Sequence, residues 1–214
     1  MQNIKVVAFD CDGVMFDTLD LNKAYYNRLL SRFGKPLMNS VQLGFVHMHT
    51  VDESVAYLFD NQDIEAVHAY RKDLDYLPFI KYMQIEPNLK PLLNLLRPRY
   101  KTAIATNRTD TMDSVLAAHD LTSLFDLVIT ASDVKNPKPH PEPLNKVLAH
   151  FHCAPGDALY IGDSEVDQIA AQAADVRFIA YNNRSLQADY HITALEEVEI
   201  ILALKKQTFR LDTN

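Results

Sequence analysis

Residues 4–18 read IKVVAFDCDGVMFDT, and the fold turns on this stretch. Ile4, Val6, Val7, Ala8 and Phe9 form an apolar, largely β-branched run that predicts a short buried strand over 4–9. The run stops at two carboxylates, Asp10 and Asp12, which flank Cys11 and precede Gly13. Strand side chains two apart share a face, so both acids are expected at one spot off the strand's C-terminal end. In open α/β sheets that is where ligands bind. Two carboxylates held together repel and ionise at different pH unless a cation lies between them. The pair suits a nucleophile with an acid/base, a hard metal ion, or both.

Working outward, similar short runs recur at 102–106, 127–130, 158–161 and 176–180, and helix-patterned segments separate them. Strands alternating with helices predict an α/β fold: a doubly wound parallel sheet with helices on both faces. The interval between the first two strands is too long for one crossover. Within it, residues 16–86 carry helical periodicity (Leu19, Ala24, Tyr25, Leu29, Leu30; Val55, Ala56, Leu58, Phe59; Val67, Tyr70, Leu74). This predicts a small helical domain over 16–86 inserted into a core built from 1–15 and 87–214, with exits near Asp17 and around Glu86-Pro87. The leucines after Pro87 predict a helix into the second strand. Thr193 with Glu196 reads as a capping box for a last helix through Leu204, and 208–214 as a frayed tail.

The 214 residues suffice for such a core with a small insertion. Composition is that of an ordinary globular chain, 48% hydrophobic and 23% charged, with a net charge of −7. That balance argues against nucleic acid or an anionic membrane as partner. Any anionic substrate must be held by a few local Lys or Arg residues. Two distant cysteines, Cys11 and Cys153, make no disulfide framework, and neither a secretory h-region nor a membrane-length apolar stretch is present. The expectation is a cytoplasmic protein, a monomer or weak homodimer.

Three further polar stations fall where the strands end. Thr106 and Asn107 stand in IATNR (104–108) at the end of the second run; alone they would read as a strand-end residue and a helix cap. Lys138 stands in NPKPHPEP among Pro137, Pro139, Pro141 and Pro143, a stiff loop able to aim one ammonium group. In YIGDSEVDQIAAQAA, Asp163 ends a strand; Ser164 as N-cap with Asp167 at N3 accounts for Asp167 without a metal but leaves Asp163 unexplained.

DCDGV, the TN of IATNR, Lys138 in its proline-rich loop and GDSEVD, in this order, resemble the four motifs of the haloacid dehalogenase superfamily. The helical insertion resembles that superfamily's cap. The resemblance implies a Rossmann-like core, with Asp10 as the nucleophile that becomes an aspartyl-phosphate and Asp12 as acid/base. It implies Thr106 and Lys138 as holders of the phosphoryl oxygens. It also implies Mg²⁺ on the Asp10 carboxylate, the Asp12 backbone carbonyl and Asp163, with Asp167 in contact or just behind. Phosphoryl transfer rests on positioning and charge stabilisation, and Mg²⁺ favours a few carboxylates with phosphate oxygens, so the chemistry is consistent with these residues.

The implied function is a phosphatase acting on a small, anionic phosphorylated metabolite, similar to phosphoglycolate phosphatases. The rival is a β-phosphoglucomutase-like phosphosugar mutase, since DGVMFDT looks much like that first motif. Residues 44–53 lack the Lys or Arg that a second phosphate would need, which favours the phosphatase. Asp12 argues against a dehalogenase, and the intact Asp10, Lys138 and Asp163 against a non-catalytic binding module. Asn107 is a candidate substrate ligand, and Arg108 reads equally as a substrate ligand or a partner of a nearby acid. His47 and His49, near Thr50 and Glu53, read as leaving-group contacts or an exposed cap loop; a zinc site would need further ligands. Cys11 is expected to pack away from the site. Asp175, standing where the family commonly has Gly, tolerates a left-handed helix end.

Overall fold

The computed structural model describes residues 4–204. Six parallel strands form the main sheet. The first is β1 (Val6–Phe9), and a two-stranded antiparallel ribbon follows from β2 (Phe16–Asp17) and β3 (Gln84–Ile85). The remaining five are β4 (Lys101–Ala105), β5 (Leu127–Ile129), β6 (Ala158–Gly162), β7 (Arg177–Tyr181) and β8 (Tyr190–Ile192). Spatial order is β5-β4-β1-β6-β7-β8. The chain winds from β1 outward through β4 and β5, then returns to the other side through β6, β7 and β8. The direction reverses at β1, and the crevice at its C-terminal end is where such sheets bind ligands.

Between β2 and β3 run α1 (Leu19–Arg32), α2 (Ser40–Met48), α3 (Val51–Leu58), α4 (Ile64–Asp73) and α5 (Leu77–Ile80). Asn39 with Gln42 caps α2, and Thr50 with Glu53 caps α3. These helices close on a core of their own, including Tyr25, Tyr26, Leu29, Leu30, Val55, Phe59 and Val67. The expected exits at Asp17 and Glu86 lie beside the ribbon, where outgoing and returning chains pair.

The sheet is covered on both faces. Along β1, Val7 and Phe9 point into a core shared with α6 (Leu89–Leu96) and α7 (Met112–Ala118). Val6 and Ala8 point into a second core with α8 (Glu142–His150) and α9 (Glu165–Ala173). That second face is built of small residues (Ala8, Ala103, Ala105, Ala180), which lets its helices sit close. Leu89, Leu92, Leu93 and Leu96 of α6 lie at i, i+3, i+4 and i+7, and all four are fully buried. Cys11 is buried in the same core, as expected for a small apolar filler.

Three sequence expectations need correction. β8 was not foreseen: YHI is short and its first two residues are exposed, so it lacks a strand's apolar signal. The last helix is shorter than expected, α10 (Val198–Ile201). Its cap is made by Glu197, not Glu196: the Glu197 carboxylate accepts from the Thr193 and Ala194 amides at 2.7 and 3.0 Å. A 3₁₀ turn over Leu195–Glu197 shifts the register by one residue. Asp175 does adopt the left-handed conformation at the end of α9 (φ 57°). The expected tail, 208–214, lies outside the described residues. Among the described residues no helix is long and apolar enough to cross a membrane.

Leu93→Ala removes a buried side chain between α6 and the sheet and is expected to cost about 2–5 kcal/mol. Chemical denaturation should register this as a lower midpoint at unchanged slope; a change below about 0.5 kcal/mol, the range of surface substitutions, would contradict the packing described.

Candidate active site

Backbone pairing sets the position of the functional groups. The Asp10 amide donates to the Ile161 carbonyl at 2.8 Å, and the Thr106 amide to Ile129 at 3.0 Å. Each ladder thus continues one residue past the strand and presents Asp10 and Thr106 at the sheet edge, beside Asp163 at the end of β6. Gly13 has a positive φ of 85°, and a Cβ there would collide with the Asp163 carboxylate. Its absence lets the loop after β1 fold back against Asp163.

Lys138 is the hub, 2% exposed. Its Nζ donates to Asp10 Oδ1 at 2.7 Å, to Asp167 Oδ1 at 2.6 Å and to the Tyr160 hydroxyl at 2.8 Å. All three ammonium hydrogens are therefore engaged. The Tyr160 hydroxyl lies 2.7 Å from Asp167 Oδ1 and 3.0 Å from the Ala105 carbonyl. Asn107 fixes the lysine's backbone from both sides: the Lys138 amide donates to its Oδ1 at 3.0 Å, and its Nδ2 donates to the Lys138 carbonyl at 2.9 Å. The read of Asn107 as a helix cap alone is thus replaced by a loop clamp.

Asp167 does double duty. Its Oδ2 accepts from the Ser164 amide at 3.1 Å and hydroxyl at 2.5 Å, completing the expected cap of α9, while Oδ1 faces Lys138. Asp10, Asp163 and Asp167 bring carboxylate oxygens within 4.8 Å of one another. Among the described residues no hydrogen bond reaches the Asp163 carboxylate or Asp10 Oδ2, so these oxygens are available to a cation, whereas both oxygens of Asp167 are taken.

Asp12 points elsewhere. The strand ends at Phe9, so the two-residue alternation does not extend to Asp12, and its carboxylate is absent from the acidic cluster. It is held instead by Arg108, with Nε to Oδ2 and Nη2 to Oδ1 both at 2.7 Å. Arg108 Nη1 donates to the Tyr76 hydroxyl at 2.7 Å and to Thr111 at 3.1 Å. Of the two readings open for Arg108, the nearby acid is the one seen here.

Protonation follows from these contacts. Burial opposes charge on Lys138, but Asp10 and Asp167 outweigh it and hold its pKa above an ordinary lysine's. Burial likewise opposes charge on Asp167 and Asp12, yet Lys138 and Arg108 respectively keep both below the usual carboxylate range. Burial pushes Asp10 up to about 7, with Lys138 working against it. Asp163, buried beside Asp167 and Asp10, is pushed up to about 9. Cys11 is pushed up by burial and by Asp12, which makes it an inert thiol.

A cavity of about 70 Å³ opens over these groups, with room for several waters or one small polar molecule. His47 and His49 both line it. His47 Nδ1 lies 3.2 Å from Asn22 Nδ2. His49 stacks on Phe45 at 3.8 Å, its Nδ1 bonded to the Phe45 carbonyl. Thr50 and Glu53 are spent on capping α3 and join no histidine. Sequence reading missed Tyr160, Tyr76, Arg71 and Asp110. Tyr160 had a signal, a hydroxyl in an otherwise aliphatic strand, which once buried must find a partner; the others arise from separate elements meeting and carry none.

The model of the haloacid dehalogenase-like hydrolase family matches residues 7–181. Pyrophosphatase PpaX of Bacillus cereus is 29% identical over 180 residues, covering 83% of this chain and 82% of that protein. The crystal structure of a HAD-superfamily hydrolase, subfamily IA, variant 1, from Geobacter sulfurreducens is 39% identical with a TM-score of 0.83, over 92% of this chain and 99% of that one. β-Phosphoglucomutase of Clostridium difficile shares the fold at 19% identity and a TM-score of 0.82, over 94% and 96% of the two chains. With its four motifs gathered at one sheet edge and a family match over most of its length, this chain belongs to the haloacid dehalogenase-like hydrolases.

Proposed function

We propose that this chain is a Mg²⁺-dependent phosphatase that hydrolyses small soluble phosphomonoesters through an aspartyl-phosphate on Asp10. The observation that carries this reading is a buried carboxylate, Asp10, at the end of the central strand, oriented by a buried ammonium and facing the free carboxylate of Asp163. The insertion over 16–86 acts as the cap that closes the site.

Hard anionic oxygens suit Mg²⁺. Asp10 Oδ2 and Asp163 would hold it, with the Asp12 backbone carbonyl. Asp167, whose oxygens are both engaged, stands behind as the group that fixes Lys138 and the start of α9. When bound, the ion keeps Asp10 ionised and offsets charge on the transferring phosphoryl group.

The protein's own groups divide the remaining work. Asp10 attacks phosphorus and the ester oxygen leaves, forming the aspartyl-phosphate. Asp12 protonates that leaving oxygen, then deprotonates the water that cleaves the intermediate. Arg108 holds Asp12 ionised in the unliganded chain, the form suited to the second role. The first role requires Asp12 to take up a proton and loosen that pair as substrate enters. Lys138 has no spare hydrogen, so a phosphoryl oxygen that it holds must displace one of its present acceptors; Thr106 offers its hydroxyl beside it.

The mutase reading keeps one supporting observation. Residues 44–53 lack a cation, but Arg71 of α4 lines the cavity. Isomerisation of β-glucose 1-phosphate therefore belongs beside hydrolysis in the assay, as does inorganic pyrophosphate, given the relative named a pyrophosphatase.

Release of phosphate from p-nitrophenyl phosphate and small phosphomonoesters should require Mg²⁺ and stop with EDTA. Asp10→Asn should fall to background, and Asp12→Ala should lose about 10²–10⁴-fold in kcat. Phosphate release that survives Asp10→Asn would remove the nucleophile from the scheme.

The raised carboxylates give a separate test by stability. Unfolded carboxyls titrate near about 4, while Asp10 and Asp163 hold their protons to about 7 and about 9 in the metal-free fold. Between these limits the native state carries more protons than the unfolded one, so stability falls as pH rises. Asp12 and Asp167, held low, lose their contribution only as pH drops below about 4; Lys138, held high, loses its own only at alkaline pH. In EDTA the melting temperature should thus be lower at about pH 8.5 than at about pH 5.5, and Mg²⁺ should raise it more at the higher pH. Equal melting curves with and without Mg²⁺ would refute a metal on these acids.

A further inference from the structure

The cavity of about 70 Å³ over Lys138 has room for the phosphoryl group and little else, but it does not end there. At a rim formed by His47, Met48, Asp163 and Ser164 it continues into a groove of about 570 Å³. Size alone sends the rest of a larger substrate into this groove. Most of its wall belongs to the sheet domain, from the start of α9 and the loop between β7 and β8. That loop is anchored. Asn183 Nδ2 donates to the Asp163 carbonyl at 2.9 Å, and its Oδ1 accepts from the Ser185 amide at 3.1 Å and hydroxyl at 2.6 Å. The Gln187 backbone amide donates to Gln168 Oε1 at 2.7 Å. Among the described residues no hydrogen bond engages Gln168 Nε2 or the Gln187 side-chain amide, and both glutamines line the groove.

Charge decides what these groups receive. Among the described residues no Lys or Arg lines the groove, whereas Asp163 and Glu165 do. Arg184 of the same loop lies outside it, beside Glu197. The start of α9 would otherwise draw an anion, but Asp167 already caps it. Within the cavity each cation is matched by acid: Lys138 by Asp10 and Asp167, Arg108 by Asp12, and Arg71 by both oxygens of Asp110. A second anion on the substrate would meet carboxylates and no unpaired cation. An alkyl chain would strip water from the two glutamine side chains and return no hydrogen bond. A chain of hydroxyls avoids both costs.

We infer that this groove is the leaving-group subsite, that it takes an uncharged, hydroxyl-bearing chain, and that Gln168 and Gln187 are its specificity-determining residues. This rests on the phosphatase reading and narrows it: the preferred substrates are polyol phosphates with a single anionic group. The sheet domain, through the loop after β7, then selects the part of the substrate beyond the phosphate.

Three esters of equal chain length separate hydroxyls from charge: sorbitol 6-phosphate, 6-phosphogluconate and hexyl phosphate. In the wild type, kcat/KM for sorbitol 6-phosphate should exceed that for each of the others by about 10-fold or more. Gln168→Leu and Gln187→Leu should each bring the sorbitol-to-hexyl ratio toward one, mainly through KM. Glu165→Gln should raise 6-phosphogluconate against sorbitol 6-phosphate by about 2–5-fold, the scale of one exposed charge. Melting temperature checks every variant, and Gln187, exposed and with no bond to its side chain, keeps the test alive if Gln168→Leu disturbs the loop. A wild-type ratio near one, a preference for 6-phosphogluconate, or a ratio unchanged in Gln187→Leu overturns the assignment. Calorimetric binding of the same esters with Mg²⁺ to Asp10→Asn, with and without Gln187→Leu, repeats the comparison without turnover. A Gln187-dependent preference in binding, with no ester hydrolysed by the wild type, would sink the phosphatase reading and leave the subsite standing. Hydrolysis of all three esters at equal kcat/KM would do the reverse.

Discussion

A buried ammonium group organises this molecule. Lys138 lies almost wholly out of water, and a charge in that position persists only if carboxylates and hydrogen-bond acceptors replace its hydration. They do so from three parts of the chain: Asp10 after β1, Tyr160 within β6 and Asp167 in α9. Losing both carboxylates would leave a buried, uncompensated charge, and losing any one partner would leave a buried donor without its acceptor. The cluster therefore ties the loop around Lys138 to the centre of the sheet as firmly as a packed side chain would. Because one of its carboxylates is Asp10, the same ties orient the group proposed as nucleophile.

The backbone is shaped to admit this cluster. Gly13 leaves space for the Asp163 carboxylate, and Gly162 does the same for Asp167, whose Cβ and carboxyl occupy the place a side chain at 162 would need. Two acids thus approach the strand ends more closely than any residue with a Cβ would allow. Alanines across the α8–α9 face of the sheet bring Asp167 near enough to reach Lys138 from the far side. Small residues here are positional: they set how near the charges come, and so how strongly each one shifts its neighbour.

What was legible in the sequence follows the same division. Five of the six sheet strands were readable because each is a buried apolar run, and the insertion because its apolar residues recur at helical spacing. β8 carries no such pattern, since the exposed Tyr190 and His191 leave Ile192 as its only buried residue. Asp10, Thr106, Lys138 and Asp163 were legible because each follows a strand or sits in a stiff loop. Asp12 was expected to share a face with Asp10, but period-two alternation holds only while the chain is a strand, and Asp12 turned to Arg108 once the strand had ended. Arg71 and Asp110 were out of reach for another reason: their meeting depends on how α4 packs over the sheet edge, and no local pattern encodes that.

That packing also fastens the insertion to the sheet domain. Beside apolar packing of Leu21 and Ile80 against the core, polar contacts between insertion and core fall on groups at the site: Arg71 with Asp110, Tyr76 with Arg108, and the Met48 carbonyl with Asn107. Two of them reach a site carboxylate or ammonium one step away, since Arg108 holds Asp12 and Asn107 holds Lys138. Opening the insertion away from the sheet edge would break these bonds together and release Arg108 and Asn107, and closing it would restore both, so on the proposed function the bonds that fasten the insertion also orient Asp12 and Lys138.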